Sequence, residues 1–171
     1  LEQMTWGSWT PAKVKLAVSG CPRNCAEATI KDFGVVAVES GWELHVGGNG
    51  GVKVRATDLL CKVETAEQVK EYCGAFMQLY REDARYLERT AHWIERVGLA
   101  YLKQRILEDG AGRVALRQRF LESQRTAQTD PWAALAQPSA RAEFEPLSLE
   151  RVKKNVASAP ICKPVPGSSP M

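Results

Sequence analysis

The sequence has 171 residues, which is an ordinary length for one domain. Hydrophobic residues make up 44% and charged residues 25%, a composition that excludes a wholly disordered or fibrous chain. The net charge is +3, from 23 basic and 20 acidic residues, without a long basic run, so no nucleic-acid partner is expected. No apolar stretch approaches the roughly 20 residues of a membrane helix, so no membrane partner is expected either.

The N-terminus carries neither an export signal nor an initiator Met. We therefore expect a cytoplasmic protein, and we expect the chain to be the downstream piece of a longer polypeptide. A disulfide framework is not expected from an odd number of cysteines in such a chain. Core packing, reactive chemistry and metal ligation stay open for the five cysteines, which are Cys21, Cys25, Cys61, Cys73 and Cys162.

Strand signals dominate the start of the chain. Residues 13–18 alternate in polarity as in a half-buried strand. The Ser-Gly-Cys-Pro sequence after them predicts a tight turn and a short helix over 22–31, because proline suits the first position of a helix. The segments that follow predict an antiparallel hairpin of strands 33–38 and 42–46, a glycine-rich loop at 47–51 and one more strand at 52–55.

Helical periodicity replaces the strand pattern after residue 64. Thr65 and Gln68 match a capping box, and the apolar spacing after them predicts a helix over 66–81. The helical period continues to Gly98, then to Asp109-Gly110, and again over 114–124, whereas seven of the nine prolines lie after residue 130. The predicted class is α+β, with a partial antiparallel sheet in 1–64, a helical region in 65–125 and an irregular Pro-rich tail in 126–171.

The sequence Gly-Cys-Pro-Arg-Asn-Cys at 20–25 carries the candidate chemistry. On a helix that begins at Pro22, Cys21 and Cys25 would point the same way beside free backbone N–H groups, which favours thiolates. Soft metals and iron–sulfur clusters use thiolate ligands. Spacing alone leaves a plain core role open, because cysteine is among the residue types most often buried. Zinc fits less well, because no second cysteine pair has a matching spacing.

Three segments resemble the sirohaem and 4Fe-4S domain of assimilatory nitrite and sulfite reductases. They are AVSGCPRNCAEA at 17–28, DFGVV at 32–36 and WELHVGGNGG at 42–51. The similarity is strongest to the C-terminal end of the large subunits of NAD(P)H-dependent nitrite reductases, and it extends to about residue 132. The resemblance implies that Cys21 and Cys25 are the second pair of a Cys-x5-Cys and Cys-x3-Cys cluster motif. It also implies that Cys25 is the axial ligand that bridges the cluster to the sirohaem iron.

The resemblance implies further partners and roles. Nitrite would be reduced to ammonia with six electrons, which come from NAD(P)H through FAD in domains upstream, and a small reductase subunit is a further implied partner. Arg23 would neutralise sirohaem carboxylates, and Asn24 would orient the turn. No Cys-x5-Cys precedes Cys21, so half of the cluster ligands are missing and the chain alone is expected to be inactive. No catalytic residue is assigned within it.

Two other functions stay open. One is sulfite reduction at the same type of site, and the other is a non-catalytic folding or interaction module whose cysteines are only packed. Lys13 and Lys15 are read either as partners of cofactor carboxylates or as solvated strand residues. The remaining candidates receive no chemical role: His45, His92, Cys73 as a core residue, Cys61 in a strand-to-helix connection and Cys162 as a free thiol in the tail.

Overall fold

A four-stranded mixed sheet lies at the centre of the fold. The structure, a computed structural model, describes residues 1–130 and 132–133, and Leu1–Thr129 form one unit. Three strands of the sheet pair in antiparallel directions, whereas the first runs parallel to the second, in the order β1-β2-β3-β6. The strands of this part of the chain are β1 (Leu16–Ser19), β2 (Phe33–Val38), β3 (Gly41–Val46), β4 (Asn49–Gly50), β5 (Val54–Arg55) and β6 (Asp58–Val63).

The predicted α+β class is confirmed, and the sheet differs from the prediction in one strand. β2 and β3 form the predicted hairpin. β1 is parallel to β2 because the chain crosses between them through a turn and a 3-10 helix at Ala28–Ile30 instead of a hairpin. β1 also begins at Leu16, later than predicted, and the side chain of Val18 is 48% exposed. An edge strand has a neighbour on one side only, so the predicted inward face of β1 is incompletely covered.

The region after the hairpin differs most from the sequence interpretation. Asn49 and Gly50 lie within the predicted loop, yet they pair with β5 in a two-stranded sheet. The strand predicted at 52–55 is reduced to its last two residues. Strand β6 is not among the predicted strands, and Cys61 lies on it instead of in a connection. The pairing of β6 with β3 shifts register between Leu44 and His45.

The helical second half is close to the prediction. Thr65 caps the longest predicted helix: its Oγ1 accepts the Gln68 N–H at 3.2 Å, and the Gln68 side chain accepts the Thr65 N–H at 3.0 Å. A short N-terminal helix is not predicted, and a π-helical turn follows α4. The helices are α1 (Glu2–Thr5), α2 (Ala66–Asp83), α3 (Thr90–Val97), α4 (Leu99–Lys103) with the π-helix Gln104–Glu108, and α5 (Gly110–Ala127).

The core lies between the sheet and the helices. Its centre is an aromatic chain in which the ring centroids of Phe33 and Phe76 are 5.5 Å apart, those of Phe76 and Trp93 5.8 Å, and those of Tyr80 and Trp93 5.3 Å. All four side chains are fully buried, so hydrophobic burial holds β2, α2 and α3 together. Cys73 is buried in the same cluster, as predicted. Among the described residues, no helix combines the length and the apolar character needed to cross a membrane.

Most of the predicted tail lies outside the described residues, and Cys162 lies there too. The last helix extends slightly beyond its predicted end, so its final turn includes residues 126–127.

A buried carboxylate joins the sheet to the helices. Asp32 directly precedes β2 and has no exposed surface. It accepts the backbone N–H of Lys15 and the guanidinium of Arg89, each at 2.8 Å, and it also accepts the Thr90 hydroxyl. These donors stand just before β1, just before α3 and at the first residue of α3. One side chain therefore fixes the spacing of three elements.

We predict that Asp32→Ala lowers the free energy of unfolding by about 3 kcal/mol, because removal of one member of a buried ion pair leaves the others without a partner. Urea unfolding monitored by tryptophan fluorescence measures the change. The matched control is Glu39→Ala, which removes an exposed carboxylate at the hairpin connection and is expected to stay within about 0.5 kcal/mol of the parent. Equal effects of the two substitutions would contradict this role of Asp32.

Candidate functional site

Two cysteine thiols lie side by side just after β1. The Sγ atoms of Cys21 and Cys25 are 3.9 Å apart. Cys25 is exposed and Cys21 is half-buried, so neither belongs to the hydrophobic core. The structure thus brings together the two residues that the sequence pairs, at a surface where an external group can reach them.

The predicted helix over 22–31 is wrong. Two consecutive turns take its place: the Asn24 N–H donates to the Cys21 carbonyl at 3.2 Å, and the Glu27 N–H donates to the Asn24 carbonyl at 2.8 Å. Asn24 and Glu27 each end a turn in the left-handed region, at φ 56° and 54°. An α-helix cannot pass through left-handed residues, so only the short 3-10 helix forms beyond them. We call residues 20–27 the cysteine turn.

The pKa of Cys25 differs from the sequence expectation. The hydrogen bond with the Cys21 thiol, followed by charge repulsion from Cys21, raises the pKa of Cys25 above its ordinary value. For Cys25 of the ligand-free chain, this direction is opposite to the expected shift towards the thiolate. A metal ion reverses this effect, because a coordinating thiol is deprotonated by the charge of the metal.

Three polar side chains hold the cysteine turn together. Asn24 Oδ1 accepts the Ser19 hydroxyl at 3.1 Å and the Ala28 N–H at 2.7 Å, and Asn24 Nδ2 donates to Thr29 Oγ1 at 2.6 Å. The Ser19 hydroxyl oxygen also accepts the Ala26 N–H at 3.2 Å. The predicted orienting role of Asn24 thus has a structural basis. Ser19 and Thr29 are not among the sequence candidates, and the only sequence signal for them is a Ser and a Thr five residues on either side of an Asn.

The 3-10 helix behind the turn packs directly on the sheet. Gly34 of β2 lies under the Ala28 carbonyl, and a Cβ atom at Gly34 would overlap that oxygen. Gly48 also lies too close to Lys31 for a Cβ atom, and its N–H donates to the Lys31 carbonyl at 2.9 Å. These glycines permit close approach of the backbone within the chain itself. The 3-10 helix therefore fixes the position of the cysteine turn relative to β2.

The remaining sequence candidates are Arg23, which lies in the cysteine turn beside the thiol pair, and several residues outside the turn. Arg23 is exposed and makes no ion pair among the residues that the structure describes, and Lys13 and Lys15 are exposed as well. His45 contacts Glu43 and Thr57, whereas His92 contacts Glu95. Within the described ranges, no group of three or more His, Cys, Asp or Glu side chains is arranged to hold a metal ion.

The remaining described cysteines, Cys61 and Cys73, are less exposed than Cys25. Burial raises the pKa of Cys73 to about 12 and that of Cys61 to about 11. Both side chains therefore stay as thiols at neutral pH, because thiolate formation requires ionisation. Their places on α2 and β6 assign them to packing.

The fold and the thiol pair place the chain among α+β proteins with a candidate thiolate site. Residues 1–113 match the family described as the nitrite and sulphite reductase 4Fe-4S domain. The chain belongs to this family.

Named relatives agree with the family. The chain is 56% identical over 132 residues, 77% of its length, to the NAD(P)H nitrite reductase of Bacillus subtilis (strain 168). It is 40% identical over 148 residues, 85% of its length, to the NADH nitrite reductase large subunit of Escherichia coli (strain K12). It is 35% identical over 107 residues, 63% of its length, to the assimilatory-type sulfite reductase of Nitratidesulfovibrio vulgaris. These matches span 16%, 18% and 49% of the respective relatives.

The donor set of the site fits part of an iron–sulfur cluster. Clusters are held by cysteine thiolates, and here two thiols lie together at an accessible surface. A 4Fe-4S cluster takes four such ligands, and a pair of thiols could supply two of them. The other described cysteines lie on β6 and within the core, and neither forms a second pair.

The close contact between Gly34 and Ala28 allows a test of how the cysteine turn packs on β2. Gly34→Ala is expected to lower the free energy of unfolding by about 1–3 kcal/mol, because the added methyl group must displace backbone atoms. Gly20→Ala is the matched control, since a Cβ at Gly20 meets nothing within 4 Å. Chemical denaturation measures both variants. A Gly34→Ala chain as stable as the Gly20→Ala chain would contradict the close packing of the turn on β2.

Proposed function

We propose that this chain is part of an assimilatory nitrite reductase and carries half of the ligands of its iron–sulfur cluster. The observation that carries the proposal is the accessible thiol pair, with Sγ atoms 3.9 Å apart, in a chain of the nitrite and sulphite reductase family. In this proposal Cys21 and Cys25 would hold a 4Fe-4S cluster as thiolates, and Cys25 would also hold a sirohaem. When bound, these groups supply the electron transfer that reduces nitrite to ammonia with six electrons.

The protein's own contribution is positioning and charge. Hydrogen bonds within the turn hold both thiols at one surface. The packing of the 3-10 helix on β2 fixes the position of the turn relative to the sheet. Arg23 is free to turn towards the carboxylates of a sirohaem, because it is exposed next to the pair. Charge-assisted hydrogen bonds from a guanidinium to carboxylates are about twice as strong as neutral ones. Lys13 and Lys15 add positive charge near β1.

The missing ligands and the electron supply belong to other segments. We infer that the other two thiolates come from an upstream part of the same polypeptide, because the described cysteines provide a single pair. The match to 16% and 18% of the two nitrite reductases supports this inference. FAD and NAD(P)H would bind in upstream domains, and a small reductase subunit is a further proposed partner. The chain by itself is then inactive.

Sulfite reduction is the second candidate, and the match to an assimilatory-type sulfite reductase favours it. The higher identity to the nitrite reductase, 56% against 35%, favours nitrite. A module with merely packed cysteines has less support, because Cys25 is exposed and Cys21 lies outside the buried cluster. We also propose a cytoplasmic location, where free cysteines such as Cys21 and Cys25 persist.

A substitution of the proposed bridging ligand tests the function. In the longer polypeptide, Cys25→Ser is expected to abolish the coupled absorption of cluster and sirohaem and to reduce nitrite turnover to background, because serine offers no thiolate. Visible absorption, electron paramagnetic resonance and nitrite-dependent oxidation of NAD(P)H measure the loss. Cys61→Ser is the control, and it is expected to keep both spectrum and turnover. Retention of both by Cys25→Ser would overturn the assignment.

A further inference from the structure

We infer that Ser19 and Thr29 are positioning residues that hold the thiol pair through the side chain of Asn24. The inference deepens the proposed function, because it names residues that prepare the cluster ligands without touching the cluster. It also applies to the ligand-free chain, in which the distance between the thiols is itself measurable. The two roles can therefore be tested separately.

The backbone of Asn24 connects the two turns that carry the cysteines. This residue ends the first turn and begins the second, so Cys21 lies at the start of one turn and Cys25 at the second position of the next. The left-handed φ of 56° at Asn24 reverses the chain between the two thiols. Asparagine tolerates this conformation because its short polar side chain can form local hydrogen bonds.

The side chain of Asn24 forms the bonds that close the cysteine turn. Its three hydrogen bonds reach backwards to Ser19 and forwards to Ala28 and Thr29, which lie on either side of the cysteine turn. The Ser19 hydroxyl oxygen also accepts the N–H of Ala26, the residue after Cys25. The segment that carries both cysteines is thus closed by side-chain bonds at its two ends.

The two residues that anchor the Asn24 side chain, Ser19 and Thr29, are themselves held by the sheet. Ser19 is the last residue of β1, is 1% exposed and lies in register with Val36 of β2. The Thr29 carbonyl accepts the Thr57 N–H at 2.8 Å, and the Thr57 hydroxyl contacts His45 Nδ1 of β3 at 3.2 Å. Both anchors are therefore tied to the sheet. A site supported by rigid elements keeps its geometry better than a free loop.

Because the turn holds the two thiols 3.9 Å apart, each has a high effective concentration relative to the other. Groups held in contact react as if at high concentration, and this advantage falls when the supporting geometry is loosened. Loss of the Asn24 side-chain bonds would leave the Ser19–Ala26 hydrogen bond and the thiol contact as the side-chain links across the turn, so Cys21 and Cys25 would separate more often. The thiols would then meet a metal or cluster less often in the required arrangement.

The test uses the reduced 171-residue chain in glutathione redox buffers. Two thiols and one oxidised glutathione give one intramolecular disulfide and two reduced glutathiones, so the squared concentration of reduced glutathione divided by that of oxidised glutathione at half-oxidation gives the effective concentration. Mass spectrometry of digested protein assigns the disulfide to Cys21 and Cys25. We expect Asn24→Gly, which permits the left-handed backbone and removes the side-chain bonds, to lower the effective concentration about tenfold.

Matched variants separate positioning from general stability. Thr29→Val and Ser19→Ala are each expected to lower the effective concentration about threefold to tenfold. Thr29→Ser keeps the hydroxyl and is expected to restore the parent value, and circular dichroism and the unfolding midpoint show that each variant is folded. Parent-like values in folded Asn24→Gly and Thr29→Val chains would overturn the inference, as would failure of Thr29→Ser to restore the value.

A second measurement distinguishes this inference from the proposed function. Iron and sulfide content and the cluster spectrum are recorded for the parent longer polypeptide after anaerobic reconstitution. A lowered effective concentration in the variants supports positioning even when the parent polypeptide binds no cluster at Cys21 and Cys25, a result that would overturn only the proposed function. A cluster at the pair together with unchanged effective concentrations would overturn only the positioning role.

Discussion

The arrangement of this domain depends on the hydrogen bonds and the ion pair of the buried Asp32 carboxylate. It has no exposed surface, and it accepts hydrogen bonds from residues at the start of β1 and at the start of α3. A buried carboxylate without such donors would be strongly unfavourable, so the elements can meet in few other ways. The chain leaves the sheet at Ser19, passes through the cysteine turn and the 3-10 helix, and returns at Asp32, whose carboxylate fixes this second point.

Between those fixed points the chain makes a turn that is held mainly by side chains. The 3-10 helix settles onto Gly34, where the missing Cβ leaves space for the Ala28 carbonyl. Left-handed backbone at Asn24 and Glu27 is unfavourable by about 1–2 kcal/mol per residue for most side chains. The hydrogen bonds of Asn24 offset this cost locally. The result is a pair of accessible thiols. Their position depends on the buried contacts of the 3-10 helix with Gly34 and of Asp32 with its hydrogen-bond donors.

The sequence predicted those elements whose signals are local. The capping box at Thr65 and Gln68 and the apolar period after it give α2, and two β-prone runs around Gly41 give the hairpin. β6 has no clean alternation, and its pairing depends on the partner strand β3, which no local pattern reveals. The helix over 22–31 failed because Pro22 begins a turn as readily as a helix. The hydrogen bonds of the Asn24 side chain to Ser19, Ala28 and Thr29 favour the turn.

The same distinction applies to the site. Cys21 and Cys25 could be paired from their spacing and from the family resemblance, although the structure joins them by turns instead of helical geometry. Ser19 and Thr29 could not be found in this way, because a Ser and a Thr near an Asn occur in many loops and only the fold shows that their side chains meet. The cysteine ligands are thus visible in the sequence, whereas their support is visible only in three dimensions.

The most direct test of the central claim is a crystal structure of the longer, cofactor-loaded polypeptide with anomalous diffraction at the iron edge. The account predicts iron peaks bonded to the sulfur atoms of both Cys21 and Cys25. Iron located elsewhere, with these two thiols free, would contradict it.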